Sequence, residues 1–251
     1  VTRLSLLLAV AAVLLGGCLP SLSPAGPPAT PTLVFPGGWI SGGWVHQGDS
    51  VFSLPAPPLD ADAAGGVLGV VYPYSWQRYR DGLLQAEATL PYRARRLHAR
   101  PAWVVVLDRG LFTETGGWLD YPAQDAVNTD QGLFWVNDEG LWQNERLLVS
   151  EGFERVLAVG DRVLALGREH GRYWPGDEEI EVPQGWTRAA AAADLYLLTP
   201  EGLYRYDPAG YELGFYPGSF YDLAVGPDGQ VWLAASDGGV VHLTPELEEA
   251  W

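Results

Sequence analysis

Four histidines, His46, His98, His170 and His242, are the side chains of this 251-residue sequence best suited to proton transfer or metal ligation near neutral pH. They fall at different phases of a repeat described below, so nothing in their spacing makes them converge. No HExxH, GxSxG, phosphate-loop or dinucleotide-binding pattern occurs. The stretch GDEEIEVP, residues 176–183, is acidic enough to attract calcium. It lacks the alternating Asp/Asn spacing of a calcium loop and reads as a solvated strand end. No metal site and no cofactor is expected from these patterns. The lack of a catalytic constellation points away from an enzyme.

A second kind of chemistry is recognition. YPYSWQRYRDG (72–82) and YRARRLHAR (92–100) together hold six of the 15 arginines, interleaved with tyrosine and tryptophan. Arg, Tyr and Trp are the residue types that dominate binding energy at protein interfaces. Tyr74, Trp76, Arg78, Arg80, Arg95 and Arg96 are therefore candidates for a partner surface, facing solvent on one rim. The competing reading is internal pairing with carboxylates plus aromatic packing, since exposed ion pairs are common and contribute little. Both readings stay open at this point.

Charge narrows the partner. The formal net charge is −16, and every basic residue other than histidine is arginine. An acidic surface of this size argues against nucleic acid, whose binding requires a basic footprint. It argues equally against electrostatic docking on anionic lipid.

The first eighteen residues, VTRLSLLLAVAAVLLGGC, place one cation before an apolar run from Leu4 to Leu15. A run of twelve residues is too short to span a bilayer and suits the hydrophobic region of a signal peptide. Leu15-Gly16-Gly17-Cys18 resembles the lipobox of bacterial lipoproteins. That resemblance covers these residues only. It implies export, removal of residues 1–17, and acylation of Cys18, giving an extracytoplasmic membrane anchor in the cell envelope. Cys18 is the only cysteine, so acylation would leave no thiol chemistry. Residues 18–32, rich in proline, serine and small side chains, read as a solvated spacer.

The elements that must position any site come from a repeat over residues 33–251. A glycine follows a polar turn and precedes a short apolar run at Gly48, Gly82, Gly110, Gly140, Gly171, Gly202 and Gly239, at spacings of 28 to 37 residues. Apolar runs of four or five residues precede the later turns: Trp103–Leu107, Leu133–Val136, Val163–Leu166, Leu195–Leu198 and Val231–Ala234. They read as strands buried on both faces. One step earlier stand small residues, LAVG at 157, AAAAA at 189 and LAVG at 223. The alanine run has helical propensity, but its phase predicts an inner strand near a crowded axis.

Repeats of about 30 residues with short strands predict an all-β propeller of about seven blades, six and eight remaining open, with a β-sandwich pair as the alternative. TLVFP at 32–36 is expected to add a strand to the last blade and close the ring. Gly226-Pro227-Asp228-Gly229, then Val231-Trp232-Leu233 and Gly239-Val240, resemble a blade of the NHL, two-component-regulator and streptogramin-lyase-like propellers. The resemblance implies the fold. It does not carry the metal-assisted His and Glu of the lyases, because His242 has no second histidine at a matching place. Nor does it carry the carboxylate-lined metal site of lactonase-like propellers, because the inner strands read as Ala, Val, Leu and Gly. The expected role is a lipid-anchored interaction or scaffold module with an envelope protein partner. A lyase or lactone hydrolase at the channel, or a periplasmic ligand sensor, is the alternative.

Overall fold

The computed structural model describes residues 33–100, 102–176 and 178–250. The proposed leader, Cys18 and the spacer lie outside them. The described chain contains no helix and folds as a seven-bladed β-propeller.

Six blades are four-stranded antiparallel sheets; the seventh has three strands plus an isolated bridge between Leu243 and Glu249. The blades cover residues 33–53, 60–89, 94–119, 125–149, 155–181, 188–217 and 220–243. Their inner strands are Leu33–Phe35, Asp60–Ala64, Ala94–His98, Asp125–Thr129, Arg155–Val159, Arg188–Ala191 and Phe220–Val225. The alanine run is thus an inner strand, as its phase predicts.

Second strands form where apolar residues run without alternation, because neighbouring sheets cover both of their faces. Val104–Leu107 and Leu195–Thr199 are buried at every position. Burying one such Val or Leu side chain contributes about 1.5–3 kcal/mol. The apolar residues gather into seven clusters, one between each pair of adjacent blades. Leu157, Leu164 and Tyr173 of blade 5, for example, pack against Leu195 and Leu197 of blade 6. One glycine is demanded by this packing. A Cβ on Gly69, in the second strand of blade 2, would lie 2.1 Å from the Trp103 ring. Another is demanded by a turn: Gly229 closes the first hairpin of blade 7 with φ 81°.

Two sequence expectations need correction. Residues 33–35 do not join the last blade; they pair with Gly38–Ser41 as the inner strand of blade 1. In every sheet the strands are consecutive in sequence, so no strand crosses the seam between blades 7 and 1. The glycine alignment also slips by one hairpin in the first two blades. Gly110, Gly140, Gly171, Gly202 and Gly239 stand at the turn between second and third strands, whereas Gly48 and Gly82 lie between the third and outer strands. Blade 2 uses Pro73-Tyr74 at the equivalent turn, so no glycine marks it.

The inner strands begin at one end of the ring, termed here the upper face, which also carries the turns between second and third strands. Asp60 opposite Val71, and Tyr72 opposite Ser75, fix this for blade 2.

Candidate functional site

Inner strands in a propeller have no sheet partner on the side facing the axis, so their N–H groups there need other acceptors. In this chain aspartates supply them. Asp60 Oδ2 accepts from the Leu97 N–H at 2.8 Å, and Asp62 Oδ2 from Ala99 N–H at 2.8 Å. Asp125 Oδ2 accepts from Val156 N–H at 3.1 Å, and Asp222 Oδ2 from Val34 N–H at 3.0 Å. Each of these bonds ties a blade to its successor. The last one joins blade 7 to blade 1 across 188 positions of sequence. It matters there because the apolar cluster of that seam has only three buried members among the described residues, Val34, Ala224 and Ala234, against ten between blades 1 and 2.

The inner strands enclose an axial channel of about 580 Å³, within the range of small-molecule sites. Its charged lining includes Asp60, Asp62, Asp125 and Asp222. It also includes Arg95, Arg96, Arg100, Arg155 and Arg188. Arg188 pairs with Asp222 at 3.3 Å. At the lower end Arg100, from the segment after the blade 3 inner strand, reaches the carbonyl of Val225 in blade 7. That contact spans the channel.

Asp125 is the hub. It is 0% exposed and receives Arg96 Nη1 at 2.9 Å and His98 Nε2 at 2.9 Å, with Arg155 Nη1 at 3.9 Å. Burial alone would raise its pKa, but the Arg96 and His98 charges and bonds outweigh burial and lower it. For His98 burial alone would favour the neutral ring; the Asp125 charge and hydrogen bond outweigh that and raise its pKa. Asp60 behaves oppositely to Asp125. Burial pushes it from 3.8 to about 6; the Leu97 N–H bond opposes this, and the Asp222 charge adds to it. Burial also raises Asp222, against the Val34 N–H bond and Arg188.

The sequence reading of the channel as Ala, Val, Leu and Gly is therefore corrected. Charged residues open the inner strands of blades 2, 4, 5 and 6, and Asp222 is the third residue of the blade 7 inner strand. Among the described residues no group of three or more His, Cys, Asp or Glu side chains is placed to hold a metal ion. Of the four histidines only His98 lines the channel. His46 and His242 do occupy matching places, contrary to the sequence reading. Each sits in a third strand and stacks on a second-strand tryptophan, Trp39 at 4.7 Å and Trp232 at 4.6 Å.

The arginine-aromatic residues do not share one rim. Tyr74 is exposed on the upper face, in the turn of blade 2. Trp76 is 3% exposed and packs between Trp103 and Phe112, so its role is core packing and not partner contact. Arg78 covers the Trp76 ring and pairs with Glu114 at 2.7 Å. Arg80, opposite Val67, ends its strand at the lower face. Arg95 is exposed on the upper face, 3.8 Å from Asp108, whereas Arg96 turns into the channel onto Asp125.

A different feature occupies the upper face of blades 1 and 2. Trp44 is 55% exposed and Tyr74 60%, with Leu59 also exposed beside them at the start of blade 2. The connecting segment LPAPPL, residues 54–59, exposes Pro55, Ala56 and Pro57 between them. Its ends are fixed by Leu54 N–H to the Gly43 carbonyl at 2.7 Å and Leu59 N–H to the Val71 carbonyl at 2.8 Å. The result is an apolar, aromatic rim on a tethered loop.

No protein-family model matches the chain, and no curated protein matches it. Solved structures do. PorZ, described as an essential bacterial surface component of the type-IX secretion system of Porphyromonas gingivalis, aligns with a TM-score of 0.66 at 10% identity, over 87% of this chain and 37% of PorZ. BBS1N, solved in complex with ARL6DN, aligns with a TM-score of 0.62 at 11% identity, over 82% and 85% of the two chains. BamB from Moraxella catarrhalis aligns with a TM-score of 0.50 at 11% identity, over 82% and 80%. At these identities the likeness is one of fold.

Proposed function

We propose that the protein is a lipid-anchored propeller of the cell envelope, held to its membrane through Cys18, that presents its upper face to a protein partner. The observation that carries this reading is the apolar rim of blades 1 and 2. Trp44, Leu59 and Tyr74 leave large apolar surface in water on one face, around a proline-rich segment whose backbone is already held in place. Rimmed exposed patches of this kind mark interaction sites, and a loop fixed before binding loses little entropy on docking. Two further facts support it. The Leu15-Gly16-Gly17-Cys18 pattern resembles the lipobox of bacterial lipoproteins. Structural neighbours include a bacterial surface component and a propeller solved with a protein bound.

Photo-crosslinking in cells tests the partner face. A crosslinkable residue at position 44 or 74 is expected to give a discrete adduct that is absent when it replaces Leu213 on the outer strand of blade 6. Equal labelling from both places, or none from 44 and 74, refutes the rim. The anchor is tested separately. Cys18→Ser should move the protein to the soluble fraction and remove the acyl mass, and continued membrane residence of that variant refutes acylation.

A further inference from the structure

We propose that the axial channel is a binding site for a small oxyanion, a carboxylate or phosphate, held chiefly by Arg155 and Arg96. This rests on the channel alone and is independent of the partner rim.

The first observation is charge segregation. The whole chain carries 31 acidic residues and 15 arginines. The channel lining departs from that ratio: leaving out the solvent-facing Arg95, it holds four arginines to four aspartates. Four of the 15 arginines therefore face one cavity in an otherwise acidic protein. A cavity with low-dielectric walls concentrates the field of such a set and raises the local concentration of counter-ions.

The second observation is what the charges already do. Every channel aspartate is committed to the protein, each accepting a backbone N–H of the next blade. The arginines are not all committed. Arg100 bonds Val225 and Arg188 pairs with Asp222. Arg96 spends one nitrogen on Asp125, and Arg155 stands 3.9 Å from the same oxygen. That separation is too long for a hydrogen bond. Among the described residues it is the only ion pair of Arg155, whose side chain is 12% exposed. A guanidinium has five N–H donors, and the Arg155 nitrogens reach the open channel, not a protein acceptor. Arg96, His98 and Arg155 converge on one carboxylate, so two to three cationic groups meet one negative charge. The surplus faces the cavity. Two oxygens of an oxyanion set between Arg96 and Arg155 would accept the unused N–H groups in the fork geometry that guanidinium offers.

The channel gains positive charge on acidification. Asp60 is faced by Asp222 from blade 7 and by Arg96 and His98 from blade 3. It loses its charge below about pH 6, while Asp125 holds His98 toward its protonated form. For an anion whose own charge is constant over the range, binding should accordingly tighten between pH 7.5 and 5.5.

Isothermal titration calorimetry of the purified protein with sodium succinate, inorganic phosphate and sodium chloride at matched ionic strength is the test. Succinate or phosphate is expected to bind saturably at one site with a Kd under about 1 mM. Which of the two is tighter identifies the carboxylate or the phosphate source. Arg155→Gln should weaken binding by roughly 10-fold or more, the loss of one charge-assisted pair. Arg168→Gln, on an exposed arginine outside the channel, should leave it unchanged. Should Arg155→Gln fail to fold, perturbation of the wild-type Arg Nε–Hε NMR signals by succinate or phosphate reads the same contact. Absence of saturable binding up to about 10 mM overturns the proposal. So does an equal response to chloride, or an unaltered affinity in a folded Arg155→Gln variant.

Discussion

Replacing Asp60 with asparagine is expected to stabilise the protein at neutral pH and to do little at pH 4. Asp60 holds its proton more tightly in the folded chain than in the unfolded one, since burial raises it from 3.8 to about 6. Its contribution to stability is therefore fully present below the unfolded value and is lost as pH rises through the folded value. Above pH 6 the folded state carries a half-buried carboxylate near Asp222. The full shift corresponds to about 3 kcal/mol at 1.36 kcal/mol per pH unit. Partial solvent access reduces that to about 1–3 kcal/mol. Asparagine keeps an oxygen for the Leu97 N–H and carries no charge, so Asp60→Asn should recover most of this at pH 7.5. Urea unfolding at pH 4, 5, 6 and 7.5 measures it. With m near 3 kcal/mol per molar, the midpoint should rise by roughly 0.3–1 M at pH 7.5. The gain should shrink through pH 6 and 5 and be small at pH 4. A variant that is less stable at pH 7.5, or whose difference from the parent does not change with pH, would refute the reasoning about the channel's electrostatics.

Other substitutions probe other parts of the ring. Asp125→Ala leaves Arg96, His98 and Arg155 without their shared carboxylate; it should cost roughly 3–5 kcal/mol in urea unfolding and lower the His98 pKa read by NMR. Gly69→Ala drives a methyl group into the Trp103 ring and should cost about 1–3 kcal/mol, with Trp103→Leu in the same chain recovering part of the loss. Arg80→Ala removes an exposed strand-end charge with no ion pair among the described residues, and its melting temperature should match the parent's, a change within about 0.5 kcal/mol.

Much of the ring is legible in the sequence because blade structure is local. Val104–Leu107 and Leu195–Leu198 announce themselves as doubly covered strands by lacking alternation. The run of alanines at 189 is a strand because its place in the repeat outweighs its helical propensity. The channel is not legible in the same way. Asp60 and Asp125 each stand where a loop enters a strand, where aspartate is ordinary, and Asp222 lies two residues into its strand. Their common direction follows from the closure of seven sheets around an axis, and no spacing along the chain records it. Arg96 shows the same limit. Its neighbour Arg95 is solvent-facing, and the cluster of arginines around it reads as one surface although alternation along the strand divides it. Trp76 reads as a surface residue from its type, whereas the tilted rings of Trp103 and Phe112 enclose it.

Because each sheet is built from consecutive strands, the chain can assemble its blades in the order in which they are synthesised. Each new blade covers the apolar face of the one before it, and the packing made at that step joins residues close in sequence, which favours rapid folding. The seam is different in time. Val34 waits for Asp222, and the apolar face of blade 1 waits for Ala224 and Ala234. Until those residues arrive, one face of the nascent stack is open to water and to other chains. Closure of the ring depends on those last contacts. The interval before it, and not the folding of any one blade, is the period in which this protein most needs protection from aggregation.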